Sequence, residues 1–158
     1  MTRYLGIDPG QTGALALINH DGRLVDVWDM PVVDKRVSPV LLADIITELD
    51  YGREFGAKLV AVVEQVASMP GQGVASTFKF GTSYGIVLGV IASRHLETIH
   101  VTPAKWKREM GLSKDKGVSR RKAIDRWPAM ARWFARVKDD GRAEAALLAL
   151  WAQQQATS

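Results

Sequence analysis

The chain has 158 residues, of which 47% are apolar and 24% charged, with a formal net charge of +4 and no cysteine. These values fit one soluble domain spanning residues 1–158, long enough to bury a substantial core. They exclude disulfides and thiolate metal sites, and with neither a leader sequence nor a membrane-length apolar run in view they suit a cytoplasmic protein that engages no membrane.

Tyr4-Leu5-Gly6-Ile7-Asp8 reads as a strand that delivers Asp8 into the Pro9-Gly10 turn, and Gly13 to Ile18 reads as the return strand of a hairpin. Counting by two puts Tyr4 and Gly6 on the Asp8 face, opposite Leu5 and Ile7. A carboxylate at the end of a central strand is costly unless it is paired or bound to a cation. The Asp21-Gly22 turn leads into Arg23 to Met30, whose alternation gives a third antiparallel strand. Ser38 caps a helix that Pro39 starts, and Leu41, Leu42, Ile45, Ile46 and Leu49 carry it to about Gly56. Lys58 to Glu64 is a continuous apolar run of the kind found inside a sheet covered on both faces.

A loop over Ser68 to Gly73 precedes a long helix to about His95, which carries Gly81, Gly85 and Gly89 at intervals of four. Each glycine costs a helix about 1 kcal/mol relative to alanine, so the stripe should serve close approach of a neighbour. Packing on the sheet and contact with a second copy both fit. Thr98 to Val101 is a short fifth strand, and Thr102-Pro103 opens a helix through about Met110. A basic loop from Gly111 to Gly117, a basic helix from Val118 to Trp127, a turn at Pro128 and a last helix from Gly141 to about Gln155 complete the chain. This order predicts an α/β fold: a mixed five-stranded sheet, made of a three-strand antiparallel meander plus parallel strands, with helices on both faces.

Charge is unevenly spread. Residues 1–100 carry 8 Lys/Arg against 11 Asp/Glu, whereas residues 103–142 carry 13 against 5. A polyanionic partner met by the C-terminal third follows. The fourth strand ends on Glu64 as the first ends on Asp8, so neighbouring strands would bring both acids to one edge. In the last helix Glu144 shares the stripe of Leu147, Leu148 and Trp151, and Asp140, one turn earlier, suits the N-cap. Like charges gathered this way destabilise a fold unless a cation joins them. With only oxygen donors on offer, Mg²⁺ or Mn²⁺ is the expected cofactor, and two such ions about 4 Å apart serve phosphodiester hydrolysis. Structural roles compete with this reading: Asp8 could order its turn, and Glu64 could pair with Arg142. His20, His95 and His100 are scattered, so a histidine-rich zinc site is not expected. Neither a P-loop nor a GxSxG element is present, and no nucleotide cofactor is expected.

Gly6-Ile7-Asp8-Pro9-Gly10 with Thr12-Gly13 resembles the opening of RuvC-type Holliday junction resolvases, within the RNase H-like nuclease superfamily. Val63-Glu64-Gln65-Val66 is similar to their second acidic motif, and Phe80-Gly81 with Gly85-Ile86-Val87 to the helix that follows. Thr102 to Lys107 and Asp115-Lys116 resemble their basic DNA-contacting stretch. The resemblance implies an RNase H-like fold and a homodimeric, Mg²⁺-dependent endodeoxyribonuclease, holding two ions per site, that resolves four-way junctions by paired symmetric nicks. Asp8, Glu64, Asp140 and Glu144 are then the metal ligands, and Lys107 reaches the scissile region. Met69 is the candidate wedge within the loop from Ala67 to Gly73. Lys79, Lys105, Lys107, Arg108, Lys114, Lys116, Arg120 and Arg121 are the expected DNA contacts. The C-terminal motif, Asp139-Asp140-Gly141-Arg142-Ala143-Glu144, is similar to a phage or prophage variant working in a bacterial host cytoplasm, and leaves open whether Asp139 or Asp140 is the ligand. Two other readings stand beside it: a branched-DNA-binding module without catalysis, and an actin-like or sugar-kinase-type phosphotransferase fragment.

Overall fold

The computed structural model describes residues 1–51 and 56–158. In chain order the elements are β1 (Thr2–Asp8), β2 (Ala14–Ile18), β3 (Leu24–Asp29), the short β4 (Val32–Val33) and β5 (Arg36–Val37), α1 (Pro39–Asp50), β6 (Lys58–Glu64), α2 (Val74–Ser93), β7 (Glu97–Val101), α3 (Pro103–Glu109), α4 (Lys116–Arg126), two 3₁₀ segments (Pro128–Phe134 and Val137–Asp139) and α5 (Asp140–Thr157). Five strands form one mixed sheet in the order β3-β2-β1-β6-β7, with β1 antiparallel to β2 and parallel to β6. The expected RNase H-like architecture is present, meander first and parallel strands after.

Both faces of the sheet are covered, as the unbroken apolar run of β6 requires. Tyr4, Val60 and Val62 pack with the α5 residues Ala146, Leu147 and Leu148 and with Trp106 of α3. On the other face Leu5, Ile7, Ala61 and Val63 pack with Leu42 and Ile46 of α1 and Val87 and Ile91 of α2. Gly6 explains how α5 seats so low on the sheet: a Cβ there would run into the Ala145 carbonyl oxygen and lie 2.9 Å from the Ala149 nitrogen. The glycine beside Asp8 therefore admits a helix backbone, and that helix carries Glu144.

Several boundaries differ from the sequence expectations. The end of α1 toward Gly56 falls among residues 52–55, outside the described residues, and the described helix stops at Asp50. β4 and β5 form a small hairpin with no glycine signal; Asp34 and Lys35 take φ of 49° and 60° at its turn. α5 begins at Asp140, so Asp139 holds the N-cap position expected of Asp140. By length and composition alone α2 would pass as a membrane-crossing helix, although Lys79 lies within it, and less than a quarter of its most apolar stretch is buried. Its glycine stripe is not packed on the sheet: a Cβ at Gly81, Gly85 or Gly89 would meet nothing within 4 Å.

Candidate active site

β1 and β6 run parallel with Ile7 opposite Val63, so Asp8 and Glu64 leave the sheet side by side from adjacent strand ends. Both belong to the face that α5 covers, one register step beyond Gly6 and Val62. Glu144 projects from the first turns of α5 toward the same edge, its side chain 12% exposed. The electrostatics report how close the acids are. Burial pushes the Asp8 carboxyl up to about 7, and the charges of Glu64 and Glu144 push the same way. A Gly10 backbone N–H and the Lys107 ammonium oppose them. Burial also raises Glu64, against the pull of a Trp106 hydrogen bond and of Lys107.

Two lysines stand among these acids. Lys107 Nζ donates to Glu144 Oε1 at 3.0 Å and lies 5.5 Å from the centre of the Trp106 ring. Lys116 Nζ pairs with Asp140 Oδ2 at 2.9 Å, and that bond, with the nearby charges of Asp140, Glu144 and Asp8, holds the lysine above its usual range. Both cations come from the basic stretch, through α3 and the start of α4. Thr102 places the first by accepting from the Lys105 N–H at the start of α3. Asp115 places the second, accepting from the Gly117 N–H at 2.8 Å.

The two candidates for the fourth acid separate clearly. Asp139 is buried, accepts from Arg136 N at 2.9 Å and Arg136 Nη2 at 2.8 Å, and lies 3.8 Å from Arg142 Nη1. Burial raises its carboxyl, but the Arg136 bonds and the Arg142 charge outweigh that and leave it low. Asp139 is thus occupied in folding the turn before α5. Asp140 instead pairs with Lys116, a lysine that also feels the charges of Glu144 and Asp8. Arg142 does not pair with Glu64 as the competing structural reading holds; it makes a two-pronged contact with Asp29 at 2.7 and 2.8 Å.

Among the described residues, no three acidic or imidazole side chains converge as a ready ligand cage. The donor set nonetheless fits a hard divalent cation. Asp8, Glu64 and Glu144 offer only oxygen atoms, and the charges of Glu64 and Glu144 raise the proton affinity of Asp8 in a way that an added positive charge would relieve. Asp140 is linked to them through Lys116, which pairs with it and feels the charges of Glu144 and Asp8.

The expected DNA contacts spread around this edge. Met69 is 70% exposed at the tip of its loop. Lys79 is exposed on α2, and Arg108 and Lys114 line a cavity next to Lys107. Others are partly engaged within the chain: Lys105 with Glu109 at 2.7 Å, Arg120 with the Ala135 carbonyl at 3.3 Å, and Arg121 with Asp115 at 4.0 Å. The sequence reading leaves Trp106 without a role, yet its indole N–H donates to Glu64 Oε2 at 2.8 Å. One signal for it exists in the chain: a single tryptophan inside an otherwise basic helix, immediately before Lys107.

No protein-family model and no curated protein matches the chain. Solved structures do. All of this chain aligns with 97% of Thermus thermophilus RuvC, determined in complex with a Holliday junction substrate, at a TM-score of 0.62 and 16% identity. The fold is that of RuvC. A second Thermus thermophilus RuvC structure gives 0.55 at 18% identity, covering 98% of this chain and 96% of that one. The yeast mitochondrial Holliday junction resolvase Ydc2 gives 0.53 at 20% identity, covering 98% of this chain and 79% of its own. In this RuvC fold Asp8 and Glu64 stand at the adjacent ends of β1 and β6, and Asp140 and Glu144 stand in the first turns of α5.

Proposed function

We propose that this protein is a divalent-metal-dependent DNA endonuclease that resolves four-way junctions by paired nicks. The observation that carries the reading is the pair of neighbouring parallel strands ending on Asp8 and Glu64, with Glu144 close enough to raise Asp8 further. Such mutually repelling carboxylates, set in a RuvC fold beside a basic surface, suit a site that holds cations against a phosphodiester.

Asp8, Glu64, Asp140 and Glu144 would hold Mg²⁺ or Mn²⁺, with two ions as the full complement. Bound there, the cations supply the charge that activates the attacking water and stabilises the leaving oxygen. Lys107 and Lys116, now paired with Glu144 and Asp140, would neutralise the backbone phosphate. Lys79, Lys105, Arg108, Lys114, Arg120 and Arg121 hold neighbouring phosphates, so binding should weaken steeply with salt. Paired nicks need two sites. Gly81, Gly85 and Gly89 form an open stripe on α2, flanked by exposed Val74 and Phe78, and that face suits a second copy of the chain. The spacing of four between Asp140 and Glu144 supports the phage-type variant.

One observation favours a second reading, a branched-DNA-binding module without catalysis: Lys107 and Lys116 already neutralise Glu144 and Asp140. A cleavage assay with Mg²⁺, comparing a four-way junction with a linear duplex, separates the two. Symmetric nicks confined to the junction are expected. Asp8→Asn should abolish them while junction binding persists. Binding without cleavage in the unaltered protein would establish the second reading, and cleavage by the Asp8→Asn variant would remove Asp8 from the metal site.

A further inference from the structure

The strand order β3-β2-β1-β6-β7 lays the candidate site along one sheet edge, with Asp8 and Glu64 near its middle. Toward β7 stand the cations of α3 and the loop after it, Lys107, Arg108 and Lys114, around a cavity beside Gln65. A second cationic group lies toward β3, and none of its members is among the expected DNA contacts. It holds Arg132, Arg136 and Lys138, from the two 3₁₀ segments before α5 and the turn between them.

Three contacts fix where these segments lie. Arg142, in the first turn of α5, grips Asp29 at the end of β3 with two bonds and lies 3.8 Å from Asp139. A Cβ at Gly141 would lie 2.6 Å from the Thr12 carbonyl oxygen, so the start of α5 rests on the turn between β1 and β2. The centre of the Trp133 ring is 5.5 Å from the Arg142 guanidinium and 5.6 Å from that of Arg132. The group is therefore docked on the far side of Asp8 from the cavity.

Nearby acids do not neutralise it. Asp139 is taken by Arg136 and Arg142, Asp29 by Arg142, and Asp140 by Lys116. Arg132 and Lys138 are exposed and form no ion pair among the described residues. The Arg136 side chain stays 52% exposed beside its carboxylate, and Val137, the next residue, is 83% exposed. Arg120 of α4 joins the group by donating to the Ala135 carbonyl at 3.3 Å.

Cations gathered without counter-charge repel one another in the free protein. A nucleic-acid backbone offers what the group lacks: phosphates for the cations and, at Val137, a sugar for the aliphatic side chain. Four strand spacings separate β3 from β7, roughly 19 Å, so a DNA strand laid across the edge presents several phosphates to it.

We propose that Arg132, Arg136 and Lys138, with Val137, form a second backbone-binding surface that holds DNA on the opposite side of the cut from Lys107, Arg108 and Lys114. The proposal rests on the endonuclease reading and deepens it, because the strand is then gripped both before and after the phosphate over the acids. Arg136 also ties down Asp139, so the exposed pair Arg132 and Lys138 is the cleaner probe.

The test compares two double variants of equal net charge in the full chain. Arg132→Ala with Lys138→Ala removes two cations from the proposed surface. Arg23→Ala with Lys58→Ala removes two from the other end of the sheet, at the starts of β3 and β6. Affinity for a synthetic four-way junction is read by fluorescence anisotropy without divalent metal, over a series of salt concentrations. The first variant should bind about tenfold more weakly than the unaltered protein, and its slope of log affinity against log salt should be shallower by about two. The second should change neither. Phosphate ethylation interference should mark both sides of the cleavage position for the unaltered protein, and one side should fade in the first variant. Thermal melting checks that both variants fold.

Equal weakening by the two variants would make the effect one of total charge and overturn the proposal. So would an unchanged slope in the first variant, or interference confined to one side in the unaltered protein. In each case junction cleavage by the unaltered protein with Mg²⁺ leaves the endonuclease reading standing. Absence of that cleavage removes the endonuclease reading, and this proposal with it.

Discussion

The Trp106 indole N–H donates a 2.8 Å hydrogen bond to Glu64 Oε2, and both side chains are buried. An indole can only donate, so it holds one carboxylate oxygen in place, leaves the other free and stabilises the ionised form against burial. Trp106→Phe removes the donor and keeps most of the volume. Partners that orient a ligand in this way are worth about 10–100-fold in metal affinity. A loss of that order is expected in Mn²⁺ titration calorimetry without DNA. A lowered melting temperature with unchanged Mn²⁺ affinity would confine the bond to folding.

Asp8 makes the metal-free protein sensitive to pH. Its carboxyl is raised from 3.8 to about 7, so between those values the folded state binds more protons than the unfolded one. Stability from this group is therefore greatest at low pH and falls as pH rises through about 7, by up to about 1.4 kcal/mol per unit. Metal-free melting temperatures should drop from pH 5 to pH 7.5, and the slope should flatten in Asp8→Asn. Mg²⁺ should stabilise more at pH 8 than at pH 6, because it competes with that proton. A flat metal-free profile in the unaltered protein would contradict the raised carboxyl.

Adjacent aspartates should fail in different ways. Asp139→Ala leaves Arg136 and Arg142 without their shared buried partner and should cost roughly 3 kcal/mol in denaturant unfolding. Asp140→Asn disturbs only a pair whose lysine is 71% exposed, so stability should change by less than about 1 kcal/mol. Its effect should fall on Mg²⁺-dependent cleavage instead. The reverse pattern would make Asp139 the ligand.

Gly6→Ala probes the contact that brings α5 to the acids. The added methyl would strike the Ala145 carbonyl, a backbone atom held inside a helix. Overpacking of this kind costs about 1–3 kcal/mol and more where backbone must move. Stability should fall at the upper end of that range. Near-normal melting would mean that α5 can shift freely on the sheet.

The α2 stripe gives the opposite expectation for an isolated chain. With open space around Gly85, Gly85→Ala should stabilise the dilute protein by up to about 1 kcal/mol. Gly85→Glu should leave the fold intact, lower the mass in sedimentation and uncouple the two nicks. A mass independent of this substitution would remove the α2 face from any contact between copies.

Much of the fold is written in local pattern. Period-two alternation places Asp8 on the Gly6 face, and the apolar run of β6 ends on Glu64 at the same edge, because strand faces follow from counting alone. Glu144 is legible for a similar reason, through its spacing from Leu147, Leu148 and Trp151. What depends on where side chains reach is not legible. The choice between Asp139 and Asp140 turns on which carboxylate Arg136 and Arg142 turn to, each only three residues from Asp139, and Trp106 meets a carboxylate 42 residues away. The glycine stripe has a readable period but no readable direction. The β4–β5 turn escaped because Asp34 and Lys35 adopt a left-handed backbone without a glycine to announce it.

Pairing of Ile7 with Val63 also sets how such a chain can change length. Inserting one residue before Asp8 or Glu64 turns that acid to the opposite side of the sheet, where α1 and α2 bury apolar residues. Inserting two restores the alternation yet carries the acid about 6.6 Å along the strand, beyond reach of its neighbour. A chain that tolerated such a double insertion would keep the fold and separate the acids that the proposed cleavage needs. Strand length, more than side-chain identity, is where this architecture is least forgiving.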